Sequence, residues 1–275
     1  MNKKHSIEKY LFTIPVIIYS LLLILLPLLY VLLISFFKSD SYGGMIYTFT
    51  LSNYIEIFNI TYVRIFLKSV GIALITTTIC LFIAYPFAIS LMSKKETTRN
   101  LLIKLVMVPF LTNSLIRTYG WIVLLRKNGI INSPLSLMYN NIGIIIGMVY
   151  TLLPFMILPV YSAVSKVDTS LIEASYDLGA SKIKTFTKVY LPLTISGAFN
   201  GSLMVFIPAI GYFFITDILG GGKIMIIGNL IKNQFLTARN WPFGAAISIF
   251  LIIMTLLLVR IYKQLGGKMD DLGGM

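Results

Sequence analysis

The sequence predicts an all-α integral membrane protein of six transmembrane helices, with both termini on the cytoplasmic side. Three observations carry that prediction. Of 275 residues only 12% are charged and 57% are hydrophobic, with a mean hydropathy of +0.87. A water-soluble domain would carry about 25% charged residues. Six apolar runs reach the length of about 18 residues that a helix needs to cross a bilayer. The Lys and Arg residues between those runs are unevenly divided between the two sides they define.

The runs are residues 13–36, 67–92, 101–125, 142–164, 193–217 and 242–262. The first follows MNKKHSIEKY, a tail of residues 1–12. Its apolar stretch is too long for a signal-peptide core and no small-residue cleavage site follows, so it reads as a membrane anchor. Pro86, Pro109, Pro154, Pro159 and Pro208 fall within later runs, which predicts kinked helices around a path. The third run is the most polar, because PFLTNSLIRTYGW puts Asn113, Arg117 and Tyr119 at membrane depth. The fourth and fifth carry GIIIG (Gly143, Gly147) and GAFNG (Gly197, Gly201), a spacing that suits close helix packing. The transmembrane domain is thus 13–264, followed by a tail of 265–275. With the N-terminus inside, cytoplasmic segments hold thirteen Lys and Arg and the outer segments seven. The positive-inside rule therefore favours N-in and C-in, and puts a polar loop at about 165–192 in the cytoplasm.

Composition also excludes several functions. The single Cys80 lies in an apolar run, so disulfides are excluded, and the lone His5 leaves a metal site nothing to build on. The net charge of +13 is spread over short loops and forms no basic face for nucleic acid. GGGK at 220–223 is no phosphate loop: Asp217 stands where the motif needs its first Gly, and Ile224 follows the Lys where Ser or Thr is required. This stretch therefore offers no nucleotide site on the chain. No cluster of polar catalytic groups marks an enzyme.

The cytoplasmic loop holds EASYDLGASKIKTFTKVYLPL at 173–193, the most polar stretch of the second half. Glu173, Tyr176, Asp177 and Ala180 can share one face of a short helix, with Leu171, Ile172 and Leu178 on another. Gly179 permits the helix to end, and Pro192 suits the first turn of the next run. On these grounds alone the stretch is either an ordinary loop with a helical turn or a docking helix for a soluble partner.

The spacing E-A-[A/S]-x-x-x-G-x(9)-[I/V]-x-L-P, carried by Glu173, Ala174, Ser175, Gly179, Val189, Leu191 and Pro192, resembles the cytoplasmic loop motif of ABC-importer permeases. Ser175 departs from the usual Ala. Further segments, among them TNSLIRTYGW (112–121), SAVSKVD (162–168), MVFIPAIG (204–211), DILGGGK (217–223), MIIGNLIKNQFL (225–236) and NWPFGAAIS (240–248), resemble the B-type permeases of spermidine/putrescine importers. The resemblance covers about residues 10 to 262. It implies a type I importer permease fold, in the plasma or inner membrane, whose coupling helix sits in a cleft of the ATPase. Glu173, Ala174, Ser175, Asp177, Leu178, Gly179 and Pro192 would form that coupling segment. It further implies a second related permease, two copies of the ATPase and an extracellular polyamine-binding protein. ATP and Mg would be held by the ATPase, and no cofactor by this chain.

A polyamine path should offer carboxylates or aromatic faces, since a cation over a ring gains about 0.5–2 kcal/mol. Asp217 is the one acidic residue near membrane depth in the second half, and counting from Leu193 along a continuous helix puts it near the outer mouth. Tyr212, Phe214, Tyr119, Trp121, Tyr150 and Asn113 are the other candidate path residues. The alternatives are an ion pair of Asp217 with Arg117 or Lys223, and interfacial belt positions for the aromatics. Two other functions stay open: an ABC permease for a different solute, and a stand-alone secondary transporter, which usually shows internal repeats that are not evident here.

Overall fold

A computed structural model describes residues 3–40, 43–126, 129 and 137–264. The expected C-terminal tail of 265–275 lies outside them. The chain divides into two compact units, residues 1–63 with 230–254 and residues 64–229 with 255–275.

In the first unit, helix α1 (Lys3–Ile34) begins well before its apolar run, so the expected tail of 1–12 is helical backbone from Lys3 onward. The run itself, Thr13–Ile34, is almost wholly exposed, as suits a helix that is apolar on all sides and meets lipid. A hairpin of β1 (Phe37–Ser39) and β2 (Met45–Phe49) and a short helix α2 (Ser52–Ile57) follow, none of which hydropathy signals. Asn53 ties them together, donating from Nδ2 to the carbonyls of Ser35 at 2.9 Å and Phe37 at 2.8 Å. The start of α3 (Ile60–Met92) meets α12 (Trp241–Gln264) through the rings of Tyr62 and Phe243, 4.9 Å apart.

The second unit holds most of the buried side chains. Helix α3 continues through it, followed by α4 (Glu96–Leu111), α5 (Ser114–Leu125), α6 (Asn141–Val164) and α7 (Thr169–Asp177). A long rod, Lys182–Gly211, combines α8 (Lys182–Thr185), a π-helical turn (Phe186–Tyr190) and α9 (Leu191–Gly211). Helix α10 (Phe213–Gly220) follows, and α11 (Ile227–Leu236) starts in this unit, which ends at Asn229, with its remaining residues counted in the first. Asn113, Asn140 and Asp168 cap α5, α6 and α7, each accepting a backbone N–H of the first turn.

The main packing seam runs between α6 and α9. A Cβ on Gly201 would come within 2.7 Å of the Met156 sulfur and 3.1 Å of its carbonyl, and one on Gly197 would meet Ala163 and the carbonyl of Pro159. The second small-residue pair therefore lets two backbones approach closely. Gly147 of the first pair accommodates Leu219 and Ile215 of α10.

Two expected spans differ from simple rods. The third is broken: α4 and α5 meet at an angle of 93°, with Thr112 extended and Asn113 capping the new helix. The fifth starts earlier and stops earlier than the run 193–217, because helical backbone begins at Lys182 and breaks at Tyr212 (φ −76°, ψ 60°). Each break follows a proline, Pro109 or Pro208, by about one turn. Pro supplies no N–H and crowds the carbonyl a turn before it, so its own disruption falls on the preceding turn and does not by itself set the breaks at Thr112 and Tyr212.

Candidate functional site: an exposed connector and two facing helix breaks

The connector between α6 and the rod has an inner and an outer side. Asp168 starts α7 by accepting the Ser170 N–H at 2.9 Å, a bond that holds its carboxyl below the usual range. Ile172 and Ser175 are half-buried, while Glu173, Ala174, Tyr176, Asp177, Leu178 and Gly179 are exposed. Ala180 is half-buried beyond the helix end and does not share a face with Glu173 and Asp177, as the periodicity had suggested.

Gly179 ends the helix as expected. Its φ is +76°, its N–H donates to the Tyr176 carbonyl at 2.8 Å, and the Ala180 N–H donates to the Ser175 carbonyl at 3.0 Å. That pair of bonds is the Schellman arrangement, which satisfies the last carbonyls and demands a left-handed residue. Leu178 is left 89% exposed, a large apolar side chain at the tip of a polar connector. Pro192 opens α9 but lies inside the rod Lys182–Gly211, directly after its π-helical turn, so it does not mark the helix start that the sequence suggested.

The candidate path residues fall into three places. Asn113, Tyr212 and Phe214 come together with Ser114, Leu115, Gly211 and Phe213 around one open pocket of about 460 Å³. The two helix breaks thus face each other, and the hydroxyls of Ser114 and Tyr212 lie 3.5 Å apart across them. Trp121 and Tyr150 form a second group, rings 5.4 Å apart and edge to face, with the Arg117 guanidinium 5.9 Å from the Tyr150 centroid. Tyr119 joins neither and is 57% exposed.

Asp217 sits on α10, beyond the break, so its position does not follow from steps along one helix. Asn229 donates to it from Nδ2 at 2.6 Å, while the Arg117 guanidinium lies over Tyr150 and the Lys223 ammonium over Tyr139, each 5.9 Å from the ring centroid. Asn229 was not singled out in the sequence, nor was Ser114. A proline about one turn before a Gly or Asn in each of two apolar runs was the available signal.

The model of the family described as binding-protein-dependent transport system inner membrane component matches residues 10–271. The chain belongs to this family. As a permease it is a non-catalytic membrane subunit, and the ATPase of such a system is a separate chain. Among curated relatives, it is 44% identical over 260 residues to the spermidine/putrescine transport system permease protein PotB of Haemophilus influenzae, covering 90% of this chain and 91% of that one. It is 42% identical over 259 residues to the PotB of Escherichia coli K12, covering 90% and 94%. Among solved structures, a chain of a bacterial alginate ABC transporter in complex with its alginate-bound periplasmic protein superposes with a TM-score of 0.76. The two share 14% identity, with 94% of the permease and 93% of that chain covered, so this likeness speaks to the type I fold alone.

Proposed function

We propose that this permease carries polyamines, spermidine and putrescine, across the membrane in an ATP-driven importer. The observation that carries the reading is 44% identity with a spermidine/putrescine permease across 90% of the chain. The complex would contain a second related permease, two copies of the ATPase and an extracellular binding protein, with both termini of this chain in the cytoplasm.

The geometry supports a division of labour. Helix α7 is the handle: Glu173, Ala174, Asp177, Leu178 and Gly179 face outward, free to enter a cleft on the ATPase. ATP and Mg bind on that partner, whose closure draws the handle inward and opens the cavity to the outside. The pocket at the breaks is a staging point for cargo. The last turns of α4 and α9 leave carbonyls without helical donors, and these oxygens suit an ammonium group. Asn113 occupies the opposite end by accepting the Leu115 N–H at 2.8 Å. The rings of Tyr212 and Phe214 add faces for cation–π contact. Such contacts hold a polycation weakly enough to release it.

The test is ATP hydrolysis by the reconstituted four-part complex. Hydrolysis is expected to rise when the binding protein carries spermidine or putrescine. A rise with some other solute and none with polyamines would overturn the substrate, and hydrolysis indifferent to this chain would overturn the coupling.

A further inference from the structure

The motif's one departure, Ser175, has a partner that no alanine could reach. Its Oγ donates to the Ile172 carbonyl at 2.8 Å and lies 2.9 Å from Thr185 Oγ1. A hydroxyl has one proton. With that of Ser175 used on Ile172, Thr185 must be the donor between them. Thr185 is 1% exposed and sits at the foot of the rod Lys182–Gly211, where its own N–H donates to the Ser181 carbonyl at 2.9 Å. The half-buried side of α7 is just Ile172 and Ser175, so this hydroxyl pair is its specific polar link to the rod.

Immediately beyond Thr185 comes the π-helical turn Phe186–Tyr190. Such turns hold one residue of slack and recur at functional sites. Tyr85 of α3 grips this one at both ends. Its ring meets Phe186 edge-on at 5.3 Å, and its hydroxyl lies 3.0 Å from Thr194 Oγ1. Thr194 donates to the Tyr190 carbonyl at 2.7 Å, which leaves Tyr85 as the donor to Thr194. Tyr85, Thr185 and Thr194 are all buried. A displacement of α7 is delivered at Thr185, below the slack, and Tyr85 keeps the slack from absorbing it.

We propose that Ser175 and Thr185 are the joint that makes α7 and the rod move as one lever, and that Tyr85 is the residue that stiffens it. These are positioning residues, and the assignment rests on the coupling role proposed for α7. The experiment measures cargo taken up per ATP hydrolysed by the assembled complex in liposomes. Ser175→Ala and Thr185→Val are each expected to lower that ratio by about three- to tenfold, the factor one net hydrogen bond makes in a two-state equilibrium. The double variant should fall no further than either single one, since the two share one bond. Ser175→Thr, which keeps the hydroxyl, should retain the ratio, and Tyr85→Phe should lower it. Ser90→Ala, which loses an exposed hydroxyl bonded within α3 at 2.7 Å, is the control. Poor assembly lowers uptake and hydrolysis together and leaves the ratio alone. An unchanged ratio in both single variants, or a double variant that falls by the product of the two, overturns the joint. A wild-type complex whose hydrolysis ignores cargo would instead overturn the function proposed above, so the two failures are distinguishable.

Discussion

At Gly179 the backbone turns with φ +76°, yet a Cβ there would meet nothing within 4 Å of this chain. The cost of a side chain is therefore conformational, and it ranks substitutions. Gly179→Asn, which tolerates the left-handed region, should be milder than Gly179→Ala, which loses about 1 kcal/mol of helix ending. Copurification of the ATPase with each variant checks that order, and equal losses would point to contact rather than turn geometry. Asp168 behaves differently with pH. Its carboxyl is held below the usual 3.8 by the Ser170 N–H, so its capping contribution is complete above that value and fades only as pH falls through the lower, folded-state one. ATPase docking should then show no pH dependence from this cap between neutral and mildly acid solution, which a docking titration would check. At Asp217 the carboxylate already accepts from Asn229 at 2.6 Å, but it remains partly exposed. Asp217→Asn is expected to raise the polyamine concentration for half-maximal uptake roughly tenfold, the effect of one lost charge-assisted contact. Wild-type uptake at an equal membrane level would remove Asp217 from the path.

Among the elements, the seam of α6 and α9 is the least forgiving. Gly201→Leu would drive a side chain into Met156, whose backbone and sulfur lie within 3.1 Å of the first carbon alone. Overpacking of this kind costs about 1–3 kcal/mol or more. The level of folded permease in the membrane should drop sharply, whereas Gly71→Ala, whose added carbon meets nothing within 4 Å, should leave it unchanged. Hydropathy located these elements but not their bends. The stretch MVFIPAIGYFFITDILG is apolar almost throughout, so one continuous helix from 193 to 217 was the natural reading, although the backbone turns at Tyr212. The rod's early start was hidden for the opposite reason. Lys182, Lys184 and Lys188 look like loop, but they remain exposed along a helix that has already begun. The π turn leaves no periodic trace at all, being one extra residue within five.

Across the whole molecule, the legible parts were those in which one residue type has one use. Gly179 and Asn113 each predicted a turn or polar position where the chain has one, and Glu173, Ala174, Asp177 and Leu178 of the motif lie exposed. Bonds between residues far apart in sequence, such as Asp217 with Asn229 and Tyr85 with Thr194, depend on tertiary placement and carry no local signature. The central claim is that α7 is gripped by a separate ATPase on the cytoplasmic side. The chain's single cysteine, Cys80, is buried, so Leu178→Cys would supply one reactive thiol at a position 89% exposed. Crosslinking from that thiol in the assembled complex tests the claim most directly. The expected result is a crosslink to the ATPase whose yield changes with ATP, together with protection from a membrane-impermeant thiol reagent applied outside intact cells. Labelling from outside, or no crosslink to the ATPase in a complex that hydrolyses ATP, would contradict it.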